Sequence, residues 1–503
     1  MSRNSREPRG AGFAIAGAAL LAACTGTADD PPASQQPNPR AGTAQVSAPA
    51  VSTVLDSGGA VGLSVRASAA VWVASPVAIT VTTDADSITQ AARLATSLAV
   101  PALVVPGNEA TDGAGPIRAE LDRLGVTHVL HVGPGVLDLP GIEVVTSIDD
   151  LPDHDPPSPL DGVLAVTVAG KQTKGMTVAL ATLEAAGADS LALTQPDPRV
   201  DPVDVAAMAQ ADPTVAIAVG SRFGPQDVFG GRVATAVTGV QLPGGGQTIF
   251  DDKRYVALYG HPLTGGLGVL GEQGPKGSVA RARKVAAQYE GLSGQTIVPA
   301  FEIIATVASG GPGDDRNYSN EWDVDVLRPL VDAAREAGIY VVLDLQSGRS
   351  DFLSQATGYE ELLREPHVGL ALDPEWRLKK GEKPLQQIGS VRAAEINRTL
   401  DWLAELTDEY DLPQKMVLLH QFRTDMIPDR DDVDLTHDEL AVIVQMDGDG
   451  TLGQKLDTWR NLRAGAPEEL RFGWKNFYDE DEPTPSPATT FQVQPKPWWV
   501  SYQ

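Results

Sequence analysis

From residue 253 onward, short apolar runs alternate with stretches of helical periodicity, and nearly every run ends in polar side chains. RYVALYGH ends at Tyr259 and His261, TIVPAFE at Glu302, IYVVLDLQ at Asp344 and Gln346, and VGLALDPEW at Asp373, Glu375 and Trp376. MVLLHQFR ends at His420, Gln421 and Arg423, LAVIVQMD at Asp447, and RFGWKN at Trp474, Lys475 and Asn476. Strands joined through helices run parallel, because each crossover returns the chain to the same end of the sheet. About 250 residues of such alternation is the size of a (β/α)8 TIM-type barrel, whose closure gathers all C-terminal strand ends on one face. Polar groups far apart in the chain then line one pocket, as in an enzyme-like site.

The 503 residues allow two or three domains, and 42% hydrophobic with 21% charged residues is a globular balance. The 66 acidic against 39 basic residues give a formal charge of −27. That sign repels nucleic acid and anionic lipid surfaces, so neither is an expected partner. The N-terminus reads as a targeting segment: Arg3, Arg6 and Arg9 precede an apolar run, Gly10 to Ala23, shorter than the ~20 residues of a spanning helix. The run ends in Leu21-Ala22-Ala23-Cys24 and resembles the bacterial lipoprotein signal, in which small residues precede a cysteine that is lipidated. The resemblance implies a signal peptide over residues 1–24, a lipid on Cys24, and anchoring at the extracytoplasmic face of the cell membrane. Cys24 is the only cysteine, so no disulfide is expected. Residues 25–50, rich in Pro, Ala, Ser and Gln, cannot bury enough apolar surface to fold and read as a disordered tether.

Residues 51–224 also alternate. VWVASPVAITVTT, PALVVP and THVLHVG read as strands, with SITQAARLATSLAV and PIRAELDRLG as helices between them. GMTVALATLEAAGA, DSLALTQPD, PVDVAAMAQA and PTVAIAVGSRFG repeat the order. Thr127–Gly133 aligns with Thr214–Gly220 at an offset of 87 residues, so this part reads as a duplicated Rossmann/flavodoxin-like α/β domain. Within it, Ala99-Val100-Pro101-Ala102-Leu103-Val104-Val105 and Leu124-Gly125-Val126-Thr127-His128-Val129 resemble type-2 cell-wall-binding repeats, which implies binding to a wall polymer. Residues 225–252, with Gly230-Gly231 and the Gly244–Gly246 run, read as a linker to a barrel at 253–503. The proline-rich tail from Pro483 is expected to wrap that barrel, covering Trp498, Trp499 and Tyr502.

The sharpest chemical motif is Asp373-Pro374-Glu375. Carboxyls two residues apart on an extended segment point the same way, with α-carbons ~6.5–7 Å apart. At a barrel mouth each disfavours ionisation of the other and burial adds to the effect, leaving the near-neutral proton donor that glycoside hydrolysis requires. Asp-x-Glu on the fourth predicted strand resembles family 18 chitinase-like and family 25 lysozyme-like glycoside hydrolases, in which that Glu is the general acid. The resemblance implies Glu375 as proton donor, with Asp373 tuning or orienting it. Trp474 near the last strand resembles the aromatic floor of the family 18 sugar subsite. The longer family 18 pattern, Asp-x-x-Asp-x-Asp-x-Glu, has Val368 and Ala371 at its first two acidic positions here. Tyr259 and His261 stand where family 25 has an Asp at the end of strand one.

The remaining strand ends suit a polyhydroxylated ligand, with amides and carboxylates for hydroxyls and aromatic faces for sugar rings. Tyr259, His261, Glu302, Asp344, Gln346, Trp376, His420, Gln421, Asp447, Trp474 and Asn476 form the expected substrate-binding set. A metal is the rival use, with His261 and His420 plus Asp373 or Asp447 as ligands. No HExxH spacing occurs, and Asp447-Gly448-Asp449-Gly450 has Thr458 where a calcium loop needs a twelfth-position Glu. Gly266–Gly271 matches G-x-G-x-x-G without a following helix and reads as a flexible loop over the barrel mouth. No G-x-S-x-G occurs, and neither cofactor nor metal is expected. The expected function is a surface-anchored lipoprotein with a glycoside hydrolase-like barrel acting on a cell-wall or extracellular polysaccharide. The alternatives are a non-catalytic glycan-binding lipoprotein and a metal-dependent hydrolase.

Overall fold

The computed structural model describes residues 43–56, 58–106 and 115–503. Cys24, the signal segment and most of the expected tether lie outside the described residues. No helix among the described residues is long and apolar enough to cross a membrane.

Eight parallel strands close a barrel in sequence order: β1 Lys253–Gly260, β2 Thr296–Ala308, β3 Tyr340–Leu345, β4 Val368–Leu372, β5 Lys415–Gln421, β6 Leu440–Met446, β7 Arg471–Asn476 and β8 Trp499–Tyr502. Neighbours in sequence are neighbours in the sheet, and β8 returns to β1 with Tyr255 opposite Trp499 and Leu258 opposite Tyr502. Asp373 thus follows the fourth strand, as the sequence suggests. The tail does not wrap the barrel. It supplies the eighth strand, which the apolar-run reading missed because prolines precede it.

Alternation along the strands divides the side chains between two cores. Tyr255, Ala257, Val298, Ala300, Tyr340, Val342, Ala371, Met416, Leu418, Ile443 and Trp499 fill the barrel interior. Leu258, Phe301, Ile303, Leu343, Leu370, Leu419, Val444, Trp474 and Val500 face outward and pack with the helices. Gly369 of β4 is needed for this interior. A Cβ there would sit 2.4 Å from the Met416 carbonyl and 2.9 Å from the Tyr340 hydroxyl, the same hydroxyl that accepts a bond from Met416 N at 3.0 Å. Gly369→Ala is therefore expected to destabilise the barrel by about 1–3 kcal/mol through overpacking, measurable as a lower denaturant midpoint at unchanged slope.

The N-terminal part holds two four-stranded parallel sheets. In the first, Val77–Val81 is flanked by Ala102–Val104 and His128–Val132, with Glu143–Val145 at the edge. In the second, Val163–Val168 is flanked by Asp189–Leu193 and Val215–Val219. The segments related by the 87-residue offset occupy matching places, and their closing glycines, Gly133 and Gly220, have φ of 123° and 122°. The outer strand of the second sheet is instead Thr53–Leu55, from the start of the described chain. One apolar core spans both sheets, through Val77, Ile79, Val163, Val178 and Ile217.

Residues 225–252 are not a bare linker. Gln226–Val237 is a helix whose Phe229, Val233 and Ala236 pack on the second sheet, and Leu242 and Ile249 plug the base of the barrel. Alongside, Asp438 of the barrel pairs with Arg199 at 2.7 Å and with Arg232 at 2.5 Å, while Asp197 pairs with Arg199 at 2.8 Å. Asp438→Ala leaves two guanidinium groups without this acceptor in a largely buried place, and should cost about 3 kcal/mol. Calorimetry should then show the N-terminal part and the barrel unfolding in separate transitions.

Candidate active site

The polar layer above the barrel interior is one connected network. His420 at the end of β5 sits between two carboxylates, with Nε2 2.6 Å from Glu302 Oε1 and Nδ1 2.9 Å from Asp447 Oδ2. Lys475 of β7 lies 3.1 Å from the other Asp447 oxygen, and its ammonium rests 3.7 Å over the Tyr259 ring. Tyr259 donates to Asp344 Oδ2 at 2.8 Å and accepts from Gln346 Nε2 at 3.3 Å. Five strands, with Asp447 just beyond a sixth, thus contribute to one chain of ionisable side chains. Among the described residues, Asp344 Oδ1 and Glu302 Oε2 are buried and meet no donor.

Asp373 and Glu375 complete the layer, but not as an extended pair. Pro374–Trp376 is a 3-10 turn, and Asp373 caps it by accepting from Glu375 N at 3.2 Å. Proline fixes the backbone φ at the first position of the turn, which favours this geometry over a continued strand. The turn is pinned from behind. Arg377 pairs with Glu395 at 2.7 Å, and Gly389 approaches so closely that a Cβ would lie 2.5 Å from the Glu375 carbonyl. Arg377 is thereby occupied, and the Glu375 carboxyl has no ion pair or hydrogen bond among the described residues. It faces a cavity of about 260 Å³ lined by Tyr259, Gln346, Asp373, Glu375, Trp376, Phe422, Asp447, Asp449, Lys475 and Phe477.

The electrostatics divide the carboxyls into two groups. Burial opposes ionisation of Asp447, yet Lys475 and His420 outweigh it and hold this acid down to about 2. Burial likewise opposes the charge on His420, but Glu302 and Asp447 keep the imidazolium protonated well above its ordinary range. Burial pushes Asp344 up to about 6, with Glu302 adding and His420 opposing. Asp373 is pushed well up, again chiefly by burial, with Asp344 and Glu375 adding. Glu375 rises to about 7 through burial and then Asp447, against the pull of Lys475 and His420. The site therefore pairs a fixed anion, Asp447, with an acid that holds its proton near neutrality. Environments that push two carboxyls apart in this way assign acid and base roles.

Several expected residues lie elsewhere. Trp474 and Asn476 face outward. The Trp474 indole donates to Asn476 Oδ1 at 2.8 Å and packs on Trp459, so it is no floor of the cavity. Gln421 also faces outward and accepts from Arg430 at 3.0 Å. His261, beyond the end of β1, stacks on Trp322 at 4.5 Å and does not line the cavity. The Gly266–Gly271 segment is not a loop over the mouth. It forms two 3-10 turns clamped to the end of β1, with Val269 and Leu270 buried in the outer core. Lys475, Phe422, Phe477 and Asp449 were missed as site residues. Strand alternation alone would have placed Lys475 inward, opposite in facing to Trp474 and Asn476.

A metal fits the donor set poorly. Asp373, His420 and Asp447 bring ligand atoms within 4.8 Å of one another. Yet both His420 nitrogens already face carboxylates and hold protons, and Lys475 occupies Asp447. An imidazolium has no lone pair to give a cation. A larger cavity, about 420 Å³, lies at the base of the barrel, but its Asp197, Arg199 and Asp438 are paired with one another. The carboxyls that are both buried and short of partners, Glu302 and Asp344, are at the mouth, which is the candidate site. No protein family matches the chain, and no curated protein is significantly similar to it.

Proposed function

We propose that the barrel is a glycoside hydrolase-like enzyme acting on a cell-wall or extracellular polysaccharide, with Glu375 as general acid. The observation that carries this reading is the unpaired Glu375 carboxyl, raised to about 7 and open to the cavity beside Asp373. Such a group can protonate the leaving oxygen of a glycosidic bond, while the neighbouring anionic Asp447 favours developing positive charge at the sugar. Asp373 holds the turn that carries Glu375 and orients it. Trp376 and Phe422 offer faces for sugar rings, and Gln346 offers an amide for hydroxyls. On the same reading the N-terminal part, with its resemblance to type-2 cell-wall-binding repeats, holds the wall polymer. The lipid on Cys24 anchors the protein at the outer face of the cell membrane.

Reducing-end release from a panel of wall and environmental polysaccharides tests the enzyme. Turnover by wild type that is lost in Glu375→Gln supports it. Binding without turnover in wild type would instead make the barrel a glycan-binding module. Fractionation tests the anchor: Cys24→Ser should leave the membrane fraction, and a variant that stays there, processed as wild type, would sink the lipoprotein reading.

A further inference from the structure

We infer that the cavity at the barrel mouth takes an amino sugar whose amine is free and protonated, not acetylated. The sugar half of this inference rests on the glycan reading above; the ammonium half does not.

The lining combines aromatic walls, Trp376, Phe422 and Phe477, with four carboxyls, Asp373, Glu375, Asp447 and Asp449. Its one cation is already spent. Lys475 lies 3.1 Å from Asp447, and its ammonium sits 3.7 Å over the Tyr259 ring and 5.0 Å over Phe477. The other carboxyls have acceptor capacity left over. Glu375 accepts nothing among the described residues, and Asp373, 3% exposed, receives a single bond, on Oδ1. Its second oxygen meets no donor among the described residues.

Four carboxyls against Lys475 favour a ligand that donates several hydrogen bonds and carries positive charge. An ammonium does both, with three donors and no acceptor, and aromatic faces favour it further through cation–π attraction. An acetylated amine offers one N–H and no charge, and an anionic sugar is repelled by these carboxyls and by the chain's overall −27.

Calorimetric titration of wild type with four probes tests the inference. They are a glucosamine tetrasaccharide, its fully N-acetylated counterpart, a neutral glucose tetrasaccharide, and cadaverine as a sugar-free amine. The glucosamine oligomer should bind at least tenfold more tightly than the other two sugars. That affinity should fall as salt is added. Asp449→Asn, at the exposed rim, should weaken the glucosamine oligomer several-fold and leave the neutral one unchanged. Equal or tighter binding of the acetylated or neutral oligomer overturns the inference and leaves the glycan reading standing. Binding of cadaverine with no sugar bound overturns the glycan reading and the sugar half of this one. No binding by any probe overturns both.

Discussion

Glu375→Gln should lower turnover by about 10²–10⁴-fold, the usual worth of a positioned general acid, while ligand affinity stays within a few-fold of wild type. Glutamine keeps the shape of the side chain but has no proton to give. The pH profile is the sharper test. Because Glu375 must be protonated to act, wild-type activity should decline as pH rises through about 7. The same variant should also be more stable than wild type in alkaline buffer. A carboxyl whose folded value is raised from 4.5 to about 7 loses stability as pH climbs through that interval, and above it the buried charge is a standing cost. Removing it should return on the order of 2–3 kcal/mol, seen as a higher Tm at pH 8 and little change at pH 4. A variant both inactive and less stable at pH 8 would mean that Glu375 supports the fold and does not serve the site.

Lys475→Met is expected to have the largest effect on stability. The ammonium is 3% exposed and faces Asp447, which is itself close to fully buried. Methionine fills the space but leaves the carboxylate without its partner, a loss of about 3–5 kcal/mol for a buried pair broken on one side. The pH dependence gives the sign. In wild type the stabilisation held by Asp447 is present above its ordinary value of 3.8 and is lost as pH falls toward 2. Without Lys475 the folded value must rise, so the acid limb of the stability curve should move to higher pH. Wild-type acid stability in the variant would show that His420 alone holds Asp447 ionised.

Much of the barrel was legible because its strands obey one rule: an apolar run, then a polar end. The rule reached Tyr259, Glu302, Asp344, Asp373, His420 and Asp447, all of which the structure gathers in one layer. It failed where a run ends in two or three polar residues, because strand parity then sends them to opposite sides. Gln421, Trp474 and Asn476 were grouped with inward neighbours for that reason. Asp-Pro-Glu misled differently. Proximity of the two acids was correct, but proline converted the expected extended pair into a capped turn. The Gln226–Val237 helix was hidden by Gly230-Gly231 at its centre. Glycine costs a helix about 1 kcal/mol per residue, and burial of Phe229, Val233 and Ala236 offsets that cost in a way local sequence does not reveal. Lys475 went unnoticed as a site residue because its partners lie on β1 and just beyond β6, far off in the chain.

The four residues of β8 carry a consequence for timing. A chain made N-terminus first presents β1 to β7 as an open parallel sheet until Tyr502 emerges. Throughout that interval β1 and β7 are bare edges, competent to pair with another chain. Lys475 and Tyr259 belong to those two edges, so their contact waits for the last strand as well. A nascent chain thus has no assembled polar layer. The layer is complete only when the seam closes.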